Sequence, residues 1–214
     1  MANINLHLGD SLAAMRAMPD RCYDLAIVDP PYGIGQHQGI TFSTKKYQQK
    51  DIHTKKNWDN EIPPPEYFEE LRRVSKNQII WGGNYFIDYL RNTRCMLIWD
   101  KCNGGNNLAD GELAWTSFDS SVRIFKRHIF EGVGCTKYVT IHPTQKPVAL
   151  YQWCLERYAK PGDRILDTHL GSGSIAIACH NMGYDLDAWE LDPEYHAAAL
   201  ARFTQHTQQL QLPW

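Results

Sequence analysis

Short apolar runs that alternate with helix-like stretches constrain this chain more than any other feature of it. Runs of strand character occur at Ile4 to Leu8, Leu25 to Val28, Gln78 to Trp81, Met96 to Trp99, Val122 to Phe125, Arg164 to Leu166 and Leu186 to Leu191. Between several of them lie segments with sound helix starts. Ser11 to Met18 follows Asp10, and Pro64 to Val74 carries acids in its first turn; Pro147 to Tyr158, Ser174 to Met182 and Pro193 to Thr207 place proline or serine near the beginning. Strands alternating with helices predict an α/β fold built on a doubly wound, mostly parallel sheet. At 214 residues the chain suits one domain, 1–214.

One stretch breaks the alternation. Residues 33–63 have no convincing period and are rich in Gln, Lys, His and Thr, and a loop that long is functional or unstructured more often than not. Inside it Lys45, Lys46, Lys50, Lys55 and Lys56 face a single acid, Asp51. A second basic stretch runs from Arg123 through Lys126 and Arg127 to Lys137. The whole chain carries a formal charge of only −2, so any polyanion must be met by such local patches. The loop reads either as a phosphate contact or as a solvated segment.

The six cysteines form no C-x-x-C and the nine histidines no zinc spacing, so reduced thiols and no metal are expected. The start has neither a basic flank nor a long apolar stretch, and no run approaches the roughly 18 residues of a membrane span. A cytoplasmic protein without membrane attachment is the expectation.

The segment from Asp24 to Tyr32 reads as a buried strand that delivers Asp29, Pro30, Pro31 and Tyr32 just past its carboxyl end. Ligands sit there in open α/β sheets. Two prolines hold the chain extended and donate no hydrogen bonds, leaving the Asp29 carboxylate and the Pro30 carbonyl as a rigid pair of acceptors. Such a pair suits a group with two hydrogens to give, an amino group, and Tyr32 offers a flat face for a planar ring bearing it.

A second strand, from Arg164, runs through Asp167, Thr168, His169 and Leu170 into Gly171, Ser172, Gly173 and Ser174, and then into a helix. Glycines 171 and 173 let a ligand approach the backbone. With Ala176 they also satisfy G-x-G-x-x-A, a pattern shared with dinucleotide-binding proteins. Glu190 lies nineteen residues after Gly171 at the end of the next strand, where an acid accepts hydrogen bonds from ribose hydroxyls. A dinucleotide enzyme would need a second mononucleotide half, for which only forty residues remain after Ser174, and it gives Asp29 to Tyr32 no task. Near the amino end Asp10 follows another short strand, placed either to accept from an adenine amino group or to cap the next helix. His142 to Pro147 precedes a helix, with Lys146 able to meet a carboxylate.

Taken in chain order, Asp29 to Tyr32, His142 to Pro147 and Asp167 to Ser174 resemble the beta group of DNA amino-methyltransferases, which use S-adenosyl-L-methionine. The resemblance spans nearly the whole chain and implies the Rossmann-like methyltransferase fold with circularly permuted motifs. It assigns Asp29, Pro30, Pro31 and Tyr32 to catalysis. The cofactor's adenine falls to Leu8 to Ser11 with Asp10, its methionine and sugar to Asp167 to Ser174, and its ribose to Glu190. Thr144, Gln145 and Lys146 close over the methionine end, with Asp29 beside them. The implied reaction is methylation of adenine N6 in duplex DNA, with the target base flipped out onto Tyr32 and phosphates met by Lys45, Lys46, Lys50, Lys55 and Lys56. Cytosine N4, RNA adenine and a catalytically silent cofactor-binding module are the alternatives, restriction-modification is one setting, and a homodimer is compatible with the reading.

The chain departs from that pattern twice. His169 stands where the family commonly has phenylalanine, either altering the cofactor contact or serving as a hydrogen-bonded core residue. Related enzymes also carry a sizeable target-recognition region before the T-Q-K-P motif, whereas residues 126–141 supply sixteen positions. Recognition is therefore expected to be short, relaxed or moved to residues 33–63.

Overall fold

A computed structural model of the protein describes residues 2–35, 59–103, 109–128, 141–142 and 144–209. Lys45, Lys46, Lys50, Lys55 and Lys56, with most of the segment 33–63 and of 126–141, lie outside the described residues.

The strands are β1 (Ile4–Leu8), β2 (Tyr23–Val28), β3 (Ser75–Trp81), β4 (Met96–Asp100), β5 (Gly111–Thr116), β6 (Arg123–Lys126), β7 (Arg164–Asp167) and β8 (Asp185–Glu190). The helices are α1 (Ser11–Ala17), α2 (Pro65–Val74), α3 (Val148–Tyr158), α4 (Ser174–Met182) and α5 (Pro193–Gln208). The strands form one sheet in the order β1-β8-β7-β2-β3-β5-β4-β6. All its neighbouring pairs are parallel except those made by β5, which runs against both β3 and β4. The doubly wound, mostly parallel sheet is as the sequence predicts. The reversed strand Gly111–Thr116 is an addition: a short apolar stretch that opens on a glycine and a glutamate carries little strand signal of its own.

Because parallel sheets are covered on both faces, their central strands are apolar throughout, and in β2 five of six residues are buried. Leu25 and Ile27, with Ile79, Trp81, Ile165 and Leu186, pack beneath Leu150, Cys154 and Leu155 of α3 and Ile175 and Cys179 of α4. Ala26 and Val28, with Ile80 and Leu166, pack beneath Met15 of α1 and Tyr67, Phe68 and Leu71 of α2. The result is three layers with the sheet between.

Helix starts follow local chemistry. Asp10 Oδ1 accepts from the Leu12 amide at 2.8 Å and caps α1, and Asp192 Oδ1 caps α5 through Glu194 at 2.9 Å and Tyr195 at 3.1 Å. Proline occupies the first position of α2 and of α5.

The connections out of β2 and β7 set the site. From β2 the chain proceeds to α2 and β3 on one side; from β7 it proceeds to α4 and β8 on the other. The pairs Leu25 with Ile165 and Ala26 with Leu166 hold the two strands side by side. This is the switch point at which doubly wound sheets open a crevice beyond their carboxyl ends.

Candidate active site

Asp29 emerges one residue past β2, and Asp167 ends the neighbouring β7. Both oxygens of Asp29 are engaged: Oδ1 accepts from the Tyr32 hydroxyl at 2.6 Å, and Oδ2 accepts from Lys146 Nζ. Lys146 Nζ also donates to the Tyr32 hydroxyl oxygen at 3.2 Å and pairs with Glu112 Oε2 at 3.1 Å. Glu112 Oε1 is held in turn by Lys101 Nζ at 2.6 Å. The Lys146 side chain is only 2% exposed, so the ammonium is tolerated there only because two carboxylates surround it.

The charges agree with this geometry. Burial works against the Lys146 ammonium, but Asp29 and Glu112 outweigh it and hold its pKa above the ordinary lysine value. At Asp29 burial and the neighbouring Glu112 charge prevail over Lys146, and the carboxyl sits above the usual aspartate value. Burial also presses on Glu112, yet Lys146 and Lys101 together bring it below the usual glutamate value.

Tyr32 is placed by its backbone and by what it rests on. Asp59 Oδ1 accepts from the Tyr32 amide at 2.7 Å and the Gly33 amide at 3.0 Å, pinning the turn after the two prolines. A Cβ on Gly82 would lie 2.1 Å from Tyr32 Cε1, and Gly82 has φ +72°, so only glycine fits beneath the ring. Tyr85, 41% exposed, stacks on Tyr32 with centroids 4.9 Å apart and planes at 14°. The aromatic surface expected from Tyr32 alone is thus a pair, and Tyr85, Asp59 and Glu112 are site residues that sequence reasoning missed. Glu112 has no motif around it, and Asp59 and Tyr85 become neighbours of Tyr32 only through the fold.

The glycine loop meets this centre through Lys146. Ser174 Oγ donates to the Lys146 carbonyl at 2.7 Å, while Arg202 of α5 donates to the Ser172 carbonyl at 2.7 Å and to Ser174 Oγ at 3.0 Å. Ser172 and Ser174 are buried fasteners of the loop. Thr144 and Gln145 close their own turn: the Thr144 amide donates to His142 Nδ1 at 3.3 Å, and the Gln145 amide to the His142 carbonyl at 3.2 Å. The His142 ring stands over Gly171, 3.7 Å from where a Cβ would be.

Glu190 accepts from the Gly171 amide at 2.8 Å and the Asp192 amide at 2.9 Å, which leaves a carboxylate capacity for a sugar diol. Two exposed leucines flank it: Leu8, paired in register with Glu190, is 54% exposed, and Leu191 is 72% exposed. Asp10 lies at the same rim beyond β1, as a cap. A rim of exposed apolar side chains beside two carboxylates, bordered by Gly171 at φ +51°, fits a ribose and a purine. The residues present therefore suit S-adenosylmethionine.

His169 is tied into the floor of this site. Its Nδ1 lies 2.9 Å from Thr168 Oγ1, which in turn lies 2.6 Å from the Tyr67 hydroxyl. Burial pulls His169 down to about 4, so it is neutral at physiological pH. Asp167 accepts from the His169 amide at 3.0 Å and is pushed up to about 8, mainly by burial. A separate cleft of about 560 Å³, lined by Arg72, Arg91 and Trp115 among others, lies at the amino-terminal end of β3 and shares no residue with the crevice. Among the described residues no group of histidine, cysteine and acidic side chains is placed to hold a metal ion, and no helix is long and apolar enough to cross a membrane.

Fold and crevice together define the class of S-adenosylmethionine-dependent methyltransferases. Known proteins place the chain within that class. The sequence model of a family described as DNA methylase, of N6 and N4 type, matches residues 92–201, just over half of the chain, and the chain belongs to that family. It is 23% identical over 235 residues to the type II methyltransferase M.HpaI of Haemophilus parainfluenzae, covering 90% of this chain and 72% of that one. The PvuII DNA methyltransferase, described as cytosine-N4-specific, superposes with a TM-score of 0.64 at 13% identity, over 100% of this chain and 89% of that one. The complex of M1.HpyAVI with S-adenosylmethionine superposes at 0.59 with 20% identity, over 93% and 99%. These two likenesses concern the fold.

Proposed function

We propose that the protein transfers a methyl group from S-adenosylmethionine to the N6 amino group of adenine in duplex DNA. The observation that carries this reading is the Asp29 carboxylate, set at the switch point beside Tyr32 and joined through Lys146 to the glycine loop. The donor supplies an electrophilic sulfonium methyl when bound. The chain's own residues supply position. An exocyclic amine is a poor nucleophile because its lone pair is delocalised into the ring; hydrogen bonds from it to Asp29 and the Pro30 carbonyl favour a pyramidal nitrogen with that pair aimed at the methyl. A charge-assisted hydrogen bond contributes about 1.5–3 kcal/mol. That is a rate factor of roughly 10 to 160, so alignment must supply the rest.

The amino group of a base inside a duplex is out of reach of an enzyme's crevice, so the target is flipped out, at a cost of a few kcal/mol. The stacked pair of Tyr32 and Tyr85 is the platform for it. Lysines 45, 46, 50, 55 and 56 offset that cost by contacting phosphates. Free thiols at Cys22, Cys95, Cys102, Cys154 and Cys179 accord with action in the cytoplasm.

Cytosine N4 is the second reading. It is favoured by the likeness of fold to an enzyme described as cytosine-N4-specific, and a carboxylate accepts from either amine. The test is incubation of duplex DNA, single-stranded DNA and RNA with tritiated donor, followed by digestion to nucleosides. Label in N6-methyladenine from duplex DNA is the expected result; label in N4-methylcytosine, or in RNA alone, would replace it. Asp29→Ala is expected to abolish transfer while cofactor affinity stays within a few-fold.

A further inference from the structure

Each oxygen of Asp29 already accepts one hydrogen bond, so an arriving target amine must share Oδ2 with Lys146 or displace it. Tyr32 gives its hydroxyl proton to Oδ1. Lys146 holds the other, and Lys146 alone of the two has a second carboxylate within reach, Glu112 Oε2 at 3.1 Å. That oxygen is shut off from solvent. An ammonium has three protons to donate; here hydrogen bonds run to Asp29 and Tyr32, while Glu112 Oε2 is an ion-pair partner that accepts no hydrogen bond. A buried lysine can leave one carboxylate without a large penalty only if another stays with it.

We propose that Glu112 is a positioning residue for methyl transfer, a resting place for the Lys146 ammonium that frees Asp29 Oδ2 for the target amine. The proposal rests on the reading of Asp29 as the amine acceptor given above. Glu112 is fixed for this role from the far side by Lys101 Nζ at 2.6 Å. It comes from β5, the reversed strand, whose register sets Glu112 opposite Trp99. Among the described residues it is β5 that brings a second carboxylate to Lys146. When the amine arrives, Lys146 shifts toward Glu112, and the site keeps one cation among its carboxylates.

The charged and titratable groups facing Asp29 are Lys146 from the turn before α3, Glu112 from β5, Tyr32, Tyr67 from α2, Tyr151 from α3 and Asp167 from β7. Glu112 pushes Asp29 toward its protonated form, since like charges in one site oppose ionisation. Lys101 lies behind Glu112 and opposes that push.

The experiment compares the wild-type chain with Glu112→Gln and Lys101→Met, measuring methyl transfer to duplex DNA from pH 5 to 9 and cofactor affinity by titration. In Glu112→Gln, Asp29 is the one carboxylate left paired with Lys146 among the described residues. We expect kcat/KM for DNA to fall at least tenfold at neutral pH with cofactor affinity within twofold, and the acid limb of the profile to move to lower pH, on the order of one unit. Lys101→Met touches neither Asp29 nor Lys146 and is expected to move the limb the other way. Wild-type kcat/KM in Glu112→Gln, or a loss of rate with the limb unmoved in both variants, overturns the proposal while leaving the reading of the reaction intact. Should Glu112→Gln fail to fold, an unmoved limb in Lys101→Met overturns it by itself. Absence of transfer by the wild-type chain to any nucleic acid overturns that reading and this proposal with it.

Discussion

Lys146 and Asp29, 117 positions apart in sequence, form an ion pair at the junction between the glycine loop and the strand that delivers Asp29 to Tyr32. The Lys146 backbone carbonyl is fastened to Ser174 at the start of α4, and its side chain to Asp29 beyond β2. One residue therefore ties the two sides of the crevice together.

Removing that tie should destabilise the protein. Lys146→Met strands Asp29, while Glu112 keeps Lys101, and breaking a buried pair from one side costs on the order of 3–5 kcal/mol. Because protonation relieves the stranded Asp29 charge, the loss should shrink as pH falls. Urea denaturation at pH 8 and at pH 5.5 measures both effects; an equal loss at the two values would show that Lys146 acts by packing.

Gly82→Ala should displace Tyr32. The new methyl would meet the ring at 2.1 Å from a backbone at φ +72°, a conformation that costs an ordinary residue about 1–2 kcal/mol before any clash. We expect lower stability and a fall in kcat of tenfold or more, with cofactor affinity little changed. In a double-mutant cycle with Tyr32→Ala, the stability losses should sum to more than the double variant shows.

His169 gives the fold a dependence on pH that phenylalanine would not. Its pKa, about 4 when folded, lies below the unfolded value of 6.5, so the unfolded chain binds more protons between those values and stability is lost as pH falls through that window. Asp167, at about 8 when folded, has the opposite sign: its contribution is complete below the unfolded aspartate value and is lost as pH rises through 8. His169→Phe should flatten the acid side of a melting-temperature profile between pH 6.5 and 4 and leave the alkaline side unchanged. An unchanged acid side would place the titration elsewhere.

Neutralising Lys45, Lys46, Lys50, Lys55 and Lys56 together should weaken DNA binding and reduce the slope of log affinity against log salt by roughly 0.9 for each phosphate that is no longer neutralised. Fluorescence anisotropy of a labelled duplex across a salt series measures it. A slope equal to that of the wild type would show that these lysines do not touch phosphate.

Much of this protein is legible in short windows of its sequence. Apolar runs between turn residues mark seven of the eight strands, and proline, serine and aspartate mark the helix starts, because those signals depend on backbone geometry and burial within a few residues. Asp29 to Tyr32 and Asp167 to Ser174 announce themselves likewise, each at a strand end. What no window could tell is which strands become neighbours. The order β7-β2-β3-β5-β4 brings Asp167 beside Asp29, Glu112 within reach of Lys146, and Tyr85 onto Tyr32. Asp59 reaches the Tyr32 amide from 27 positions away. The periodicity of a strand says which face a residue occupies but not what will stand opposite it, and a buried charge is stable only where its partner arrives from another element. The sequence by itself determined the elements and the chemical groups at their ends; the sheet's order and the reversal of β5 decided how those groups meet.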